Sequence, residues 1–238
     1  MSYQLIIANK NYTTWPLRAW VALTEAGVPF EEIMAPKDDL SPASLRDAYL
    51  KISPIKKFPL LLVHTPNQAS PLMVWDSLAI IEYLAESYQN LWPAHPEARA
   101  FARSVAAEMH SGFAGLRNTC NSCVGLRIQL HSMGPECEQD LRRLNELVSE
   151  GLERFKGPFL AGATFTAADA MYCPVAFRVQ TYSIKFENAA VDAYFAQLRA
   201  LPSMKAWEAS ALQEPWRILA YEEDFVRNGT ILEDLRTA

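Results

Sequence analysis

The feature that most constrains this chain is a change of character at Leu91-Trp92-Pro93-Ala94-His95-Pro96. Ahead of it, apolar runs of strand length alternate with segments of helical spacing. Behind it, nearly every stretch carries helical periodicity and strand signals almost vanish. Alternating strands and helices demand a sheet with helices laid against it, whereas successive helices must bury their apolar stripes on one another. The 238 residues suffice for two such layers sharing an interface. The expected organisation is an α/β domain over residues 1–86, a linker over 87–96 and an all-helical domain over 97–238.

The local reading supplies the order β-α-β-α-β-β-α for the first domain. A buried strand over 3–8 runs into the polar turn Asn9-Lys10-Asn11-Tyr12-Thr13-Thr14, and a helix follows with Pro16 near its start and Gly27 at its end. A second strand is expected over 30–34. Ser41-Pro42 opens a helix that stops before Ser53-Pro54. Pro59-Leu60-Leu61-Leu62-Val63 and Leu72-Met73-Val74-Trp75 form a hairpin, after which Asp76 or Ser77 caps a helix ending near Ser87. In the second domain, helices are expected over 97 to about 130, 136–156, 167 to about 182, 191–198 and 203–211, with no strand among them.

Bulk properties narrow the function. Half the residues are hydrophobic, yet no apolar run approaches the ~20 residues of a membrane span, so a soluble chain without a membrane partner is expected. The start Met1-Ser2-Tyr3-Gln4 lacks the basic and apolar regions of a secretory signal, which points to the cytoplasm. A formal charge of −5 with only short basic pairs such as Lys56-Lys57 and Arg142-Arg143 argues against nucleic acid. Four irregularly spaced cysteines suit reduced thiols rather than a disulfide framework.

Three motifs carry chemistry. Thr13-Thr14 lies between the first strand and the first helix, where the free amides of a helix N-terminus favour negative charge and a hydroxyl could hold a thiolate ionised; either threonine could equally be a plain cap. In Lys56-Lys57-Phe58-Pro59 a proline precedes a strand, and a cis bond there would turn the Phe58 backbone outward toward an extended peptide. In Trp75-Asp76-Ser77-Leu78-Ala79-Ile80-Ile81-Glu82-Tyr83-Leu84, a carboxylate, a hydroxyl and free helix donors stand together and could hold both ends of an amino acid.

In order and spacing these motifs resemble the glutathione transferase family, over nearly the whole chain, which implies that the α/β domain over residues 1–86 is thioredoxin-like. The resemblance implies that Asp76 and Ser77 bind the γ-glutamyl end of glutathione, that Phe58 beside cis Pro59 pairs with the cysteinyl part, and that Lys57 or Lys37 neutralises the glycyl carboxylate. Thr13 or Thr14 would stabilise the thiolate, with Tyr12 as a rival donor. The loop from Asn11 to Arg18 looks like the Ser-Ser-Cys-x-x-Arg loop of the zeta class and related bacterial members, with Thr13 on the usual serine. Both serines are threonine here and Trp15 replaces the cysteine. Gly162-Ala163-Thr164-Phe165-Thr166-Ala167-Ala168-Asp169 has the spacing of a capping box and stands as the family's structural box, read as stability.

The implied activity is a glutathione transferase that directs the thiolate at a small hydrophobic electrophile, needs no metal and works as a homodimer. Trp15, Met109, His110, Phe113 and Arg117 are candidates for the second-substrate pocket, the residues from Met109 to Arg117 being also compatible with ordinary interhelical packing. The alternatives are a non-catalytic protein of the same fold that binds a ligand or partner, and a glutathione-dependent isomerase or peroxidase. Cys120-Asn121-Ser122-Cys123 matches C-x-x-C but lies in the helical part and reads as two helix-face thiols. Four scattered histidines suggest neither a metal site nor a triad.

Overall fold

The computed structural model describes residues 1–35, 52–53 and 55–237. Lys37 and the helix expected from Ser41 lie outside the described residues. The first domain is built on a four-stranded sheet of order β2-β1-β3-β4, with β1 at Ser2–Ile7, β2 at Glu31–Met34, β3 at Leu60–His64 and β4 at Leu72–Val74. β1 pairs parallel with β2 and antiparallel with β3, and β3 pairs antiparallel with β4. The parallel pair needs a crossover, supplied by helix α1 at Thr14–Glu25.

Strand periodicity divides β1 between two faces. Leu5 and Ile7 enter the main core with Leu17, Val21 and Leu23 of α1, while Ile6 packs on the opposite face with Ala35 and Leu60. α1 stops at Ala26; Gly27 then takes φ +70°, a left-handed value that glycine adopts without steric cost. Helix α2, at Ser77–Ala85, begins where Asp76 Oδ1 accepts from the amides of Leu78 (3.1 Å) and Ala79 (3.4 Å). A short 3-10 turn at Gln89–Leu91 buries Leu91 and Trp92 before helix α3, Pro96–Ser111, which opens on a proline whose missing amide costs nothing there.

The second domain is helical: α3, α4 (Ala114–Thr119), α5 (Pro135–Phe155), α6 (Ala167–Thr181), α7 (Ala189–Ala200), α8 (Pro202–Leu212) and α9 (Leu219–Asn228). The single helix expected from 97 to about 130 does not form. α3 ends at Gly112, where a Cβ would stand 2.8 Å from the Glu108 carbonyl oxygen, and Phe113 turns the chain with φ 61°. After α4 the segment Leu126-Arg127-Ile128-Gln129-Leu130 alternates apolar and polar residues and forms strand β5. It pairs antiparallel with a C-terminal strand β6, Gly229–Asp234. Neither this two-stranded sheet nor α9 was anticipated.

α6 is the centre of the molecule. All but one of its residues are buried, as a helix surrounded on every side requires, and it packs on α1, α3 and α7. Its start is a complete capping box: Asp169 Oδ2 accepts from the Thr166 amide at 2.9 Å, and Oδ1 accepts from the Leu160 amide (2.9 Å) and the Tyr194 hydroxyl (3.1 Å). The contact between α1 and α6 runs one continuous core through both domains. Among the described residues no helix is long and apolar enough to cross a membrane.

Candidate functional site

A cleft of about 710 Å³ opens between the two domains. The turn between β1 and α1 forms one wall, contributing Asn9, Tyr12, Thr13, Thr14, Trp15 and Pro16; Ile55 to Pro59 and Asp76 form the first domain's other contribution. The helical domain supplies His110, Arg117, Asn121, Ser122, Arg178, Ile218 and Tyr221.

The β1–α1 turn is held from the far side by the second domain. The Lys10 amide donates to Glu214 Oε2 (2.9 Å), Asn11 Nδ2 to the Ala211 carbonyl (2.6 Å), and Trp207 Nε1 to the Lys10 carbonyl (3.1 Å). These bonds satisfy a buried polar turn and thereby fix the two threonines in space. Thr13 Oγ1 donates to the Asn9 carbonyl at 2.6 Å, so its only proton is committed to the backbone. Thr13 is also the residue before α1, but its side chain makes no capping bond. Thr14, the first residue of α1, has no hydrogen-bond partner for its hydroxyl among the described residues and lines the cleft.

Tyr12 lines the cleft with its ring, stacked on Tyr221 at 5.5 Å, but its hydroxyl points into a C-terminal cluster. It donates to Glu222 Oε1 at 2.5 Å and accepts from Arg236 Nη1 at 2.9 Å. Burial and the Glu222 carboxylate push its ionisation far up. Arg236, itself buried, binds Glu222 and Asp234 through charge-assisted bonds of 2.6–2.9 Å and pulls both carboxyls below their ordinary range. The unanticipated α9 and β6 thus close over the turn, and the cluster has the character of a strap.

On the opposite wall the Phe58–Pro59 peptide is cis, as is Trp75–Asp76. Lys57, Phe58, Pro59 and Asp76 all reach the cleft, whereas Ser77 is wholly buried and its hydroxyl has no partner among the described residues. Asp76 divides its carboxylate: Oδ1 caps α2, and Oδ2 meets His110 Nε2 of the second domain at 3.1 Å. Trp15 stands beside this pair, edge-to-face with His110 at 5.2 Å, with the guanidinium carbons of Arg18 and Arg117 4.2 Å and 4.9 Å from its ring centre.

The five candidates for a second-substrate pocket separate. Trp15, His110 and Arg117 line the cleft; Met109 and Phe113 line a cavity of about 10 Å³ behind it, in company with Arg18 and Arg178. The Met109 carbonyl accepts from both Arg18 and Arg117. Burial lowers the ionisation of all three arginines: that of Arg18 well below its ordinary value, that of Arg178 to about 10.

Cys120 and Cys123 are buried, and they are not on a helix face, because α4 ends at Thr119. Burial pushes the Cys123 thiol up to about 11, and a hydrogen bond with Cys137, together with burial, raises Cys120, which leaves both poor nucleophiles. It is the residues between them, Asn121 and Ser122, that reach the cleft. Arg178 was the other miss. Its signal was present as the one basic residue in a mostly apolar helix, which is costly to bury and therefore informative.

Residues 13–87 match the family described as "Glutathione S-transferase, N-terminal domain". No curated protein sequence matches the chain significantly. Among solved structures, a glutathione transferase homologue from Burkholderia gl BGR1 with bound glutathione is 19% identical, with a TM-score of 0.62 over 89% of this chain and 98% of that one. A diazinon-metabolizing glutathione S-transferase of the silkworm Bombyx mori is 19% identical, with a TM-score of 0.65 over the same shares. FzlA from C. crescentus is 16% identical, with a TM-score of 0.63 over 91% of this chain and 94% of that one.

Proposed function

We propose that the protein binds glutathione and activates its thiol for attack on an electrophile held against the helical domain, a reading supported by the match of residues 13–87 to the glutathione S-transferase N-terminal domain family and by the fold that the chain shares with solved glutathione transferases. Glutathione lies along the first-domain wall, with its γ-glutamyl ammonium on Asp76, its cysteinyl part beside Phe58 and Pro59, and its glycyl carboxylate toward Lys57. The observation that carries the activation step is the uncommitted hydroxyl of Thr14 at the first turn of α1. A neutral donor there stabilises the thiolate over the thiol, and the helix terminus adds to it. Thr13 serves as a fastener of the turn, since its proton is already spent on Asn9.

The enzyme is proposed to work as a homodimer in the cytoplasm; Leu72, Met73 and Trp75 on and beside edge strand β4 are exposed apolar groups suited to a subunit contact, and the four cysteines are free and buried, as in a reducing compartment. A second reading, a ligand- or partner-binding protein without catalysis, draws on His110 already occupying Asp76 Oδ2. A glutathione-dependent isomerase or peroxidase is the third. Calorimetric titration with glutathione, combined with the ultraviolet band of bound thiolate, separates these readings. Glutathione binds the wild type, the thiolate band disappears in Thr14→Val and persists in Thr13→Val. No heat at millimolar glutathione ends the proposal; binding without a thiolate band at neutral pH selects the non-catalytic reading.

A further inference from the structure

The deep end of the cleft and the small cavity behind it gather three guanidinium groups, Arg117 and Arg178 on the cleft and Arg18 behind them, on which the carboxylates of Asp76 and Asp140 act only from a distance. Arg178 lies in helix α6, is 7% exposed, and its guanidinium makes no hydrogen bond or ion pair among the described residues; its Nη1 is among the buried nitrogens without a partner. Arg18 is 1% exposed and touches protein acceptors only through Nη2, 3.5 Å from the Met109 carbonyl, which leaves Nε and Nη1 unsatisfied. Arg117 is held by carbonyls of Gly112 and Met109. None of the three forms an ion pair among the described residues. Buried guanidinium groups so placed are strongly unfavourable unless an anion completes them.

The geometry says where such an anion goes. Arg117 and Arg178 line both the open cleft and the small cavity behind it, and Thr14 lines the same two spaces. The three side chains therefore form the floor that an occupant of the cleft meets beside the thiol-activating hydroxyl. The walls above this floor, Trp15, Ile218 and Tyr221, are apolar or aromatic. We propose that the second substrate is a carboxylic acid with an apolar body, whose carboxylate docks on the guanidinium groups of Arg178 and Arg117 while its electrophilic carbon faces the thiol at Thr14. This rests on the glutathione-binding reading for the identity of the nucleophile, but not for the existence of the carboxylate site. The uncommitted fork of Arg178, with Arg117 Nη1 beside it, suits the planar, two-oxygen carboxylate.

A suitable probe is 4-chloro-3-nitrobenzoate, with its methyl ester as the uncharged control. The glutathione sulfur bonds to the ring carbon bearing chlorine, the carbon–chlorine bond breaks with its electron pair leaving as chloride, and the proton lost from the thiol passes to water. Expected is a higher kcat/KM for the acid than for the ester in the wild type, with that preference falling at least tenfold in Arg178→Met and in Arg117→Met. In parallel, calorimetry follows benzoate, benzamide and glutathione, each added alone to the full chain. Benzoate binds and benzamide does not, and Arg178→Met weakens benzoate at least tenfold more than it weakens glutathione.

Equal binding of benzoate and benzamide overturns the proposal, as does an acid-to-ester preference that survives both substitutions. If Arg178→Met weakens glutathione as much as benzoate, the arginines serve a carboxylate of glutathione itself and the proposal falls. Should glutathione fail to bind while benzoate binds through Arg178, it is the nucleophile that is wrong and the carboxylate site that stands.

Discussion

Replacing Arg178 by methionine makes the energetic argument directly measurable. In the ligand-free protein this guanidinium is enclosed by α6 and its neighbours, and burial lowers its ionisation from the ordinary arginine range to about 10. At about 1.4 kcal/mol for each tenfold change in proton affinity, the charged form is disfavoured by about 3 kcal/mol relative to the unfolded chain. Methionine fills a similar volume with a flexible apolar chain and has no charge to desolvate. Replacing buried ionic groups by well-packed apolar side chains of similar volume stabilises by about 1–4 kcal/mol even when the charges are paired, and a gain of that size raises the unfolding midpoint of a chain of this length by roughly 3–15 °C. The pH dependence has a definite sign. A base whose folded ionisation lies below its unfolded one carries its penalty in full below the folded value, here about pH 10, and is relieved as the pH rises from there toward the unfolded value. The gain in Arg178→Met is therefore level from pH 6 to 9 and shrinks only above pH 10. Thermal melts followed by circular dichroism, without glutathione or carboxylates, read both effects. A midpoint that falls in Arg178→Met, or a gain that varies between pH 6 and 9, refutes the view of Arg178 as an uncompensated charge.

Two further substitutions test the scaffold around the site. Asp169→Ala leaves the Leu160 and Thr166 amides and the Tyr194 hydroxyl without their shared acceptor, so chemical denaturation is expected to show a loss of about 3–5 kcal/mol; a loss below about 1 kcal/mol would mean that the capping box does not anchor α6. Tyr12→Phe removes a hydroxyl that bridges Glu222 and Arg236 and should cost about 1–2 kcal/mol, while the thiolate band of bound glutathione persists. Disappearance of that band in Tyr12→Phe transfers the donor role from Thr14 to Tyr12.

Much of the first domain was legible because its signals are local. Gly27 after an apolar helix, Pro59 before Leu60-Leu61-Leu62-Val63, and Asp76 ahead of Leu78, Ile81 and Leu84 each specify a boundary within a few residues of themselves. Thr166 and Asp169 were legible for the same reason, as reciprocal capping needs only the spacing between them. Misjudgements arose where a pattern depended on a distant partner. Leu126 to Leu130 was merged into a helix although it alternates, because a short apolar stretch becomes a strand only when something pairs with it, and its partner β6 lies a hundred residues away.

The sequence alone determined the division at residues 91–96, the β1–α1 turn with its hydroxyl pair, and the two motifs on the opposite wall of the cleft, since chain stiffness, turn chemistry and periodicity act over a few residues. Only the tertiary structure decided which hydroxyl has a proton to offer. Thr13 and Thr14 are adjacent, chemically identical and both on the cleft, yet the hydroxyl of one is bonded to Asn9 and that of the other has no partner among the described residues. Tertiary packing likewise brought Arg18, Arg117 and Arg178 from α1, α4 and α6 into one low-dielectric pocket, because the energy of a buried charge depends on everything around it and not on its neighbours in the chain.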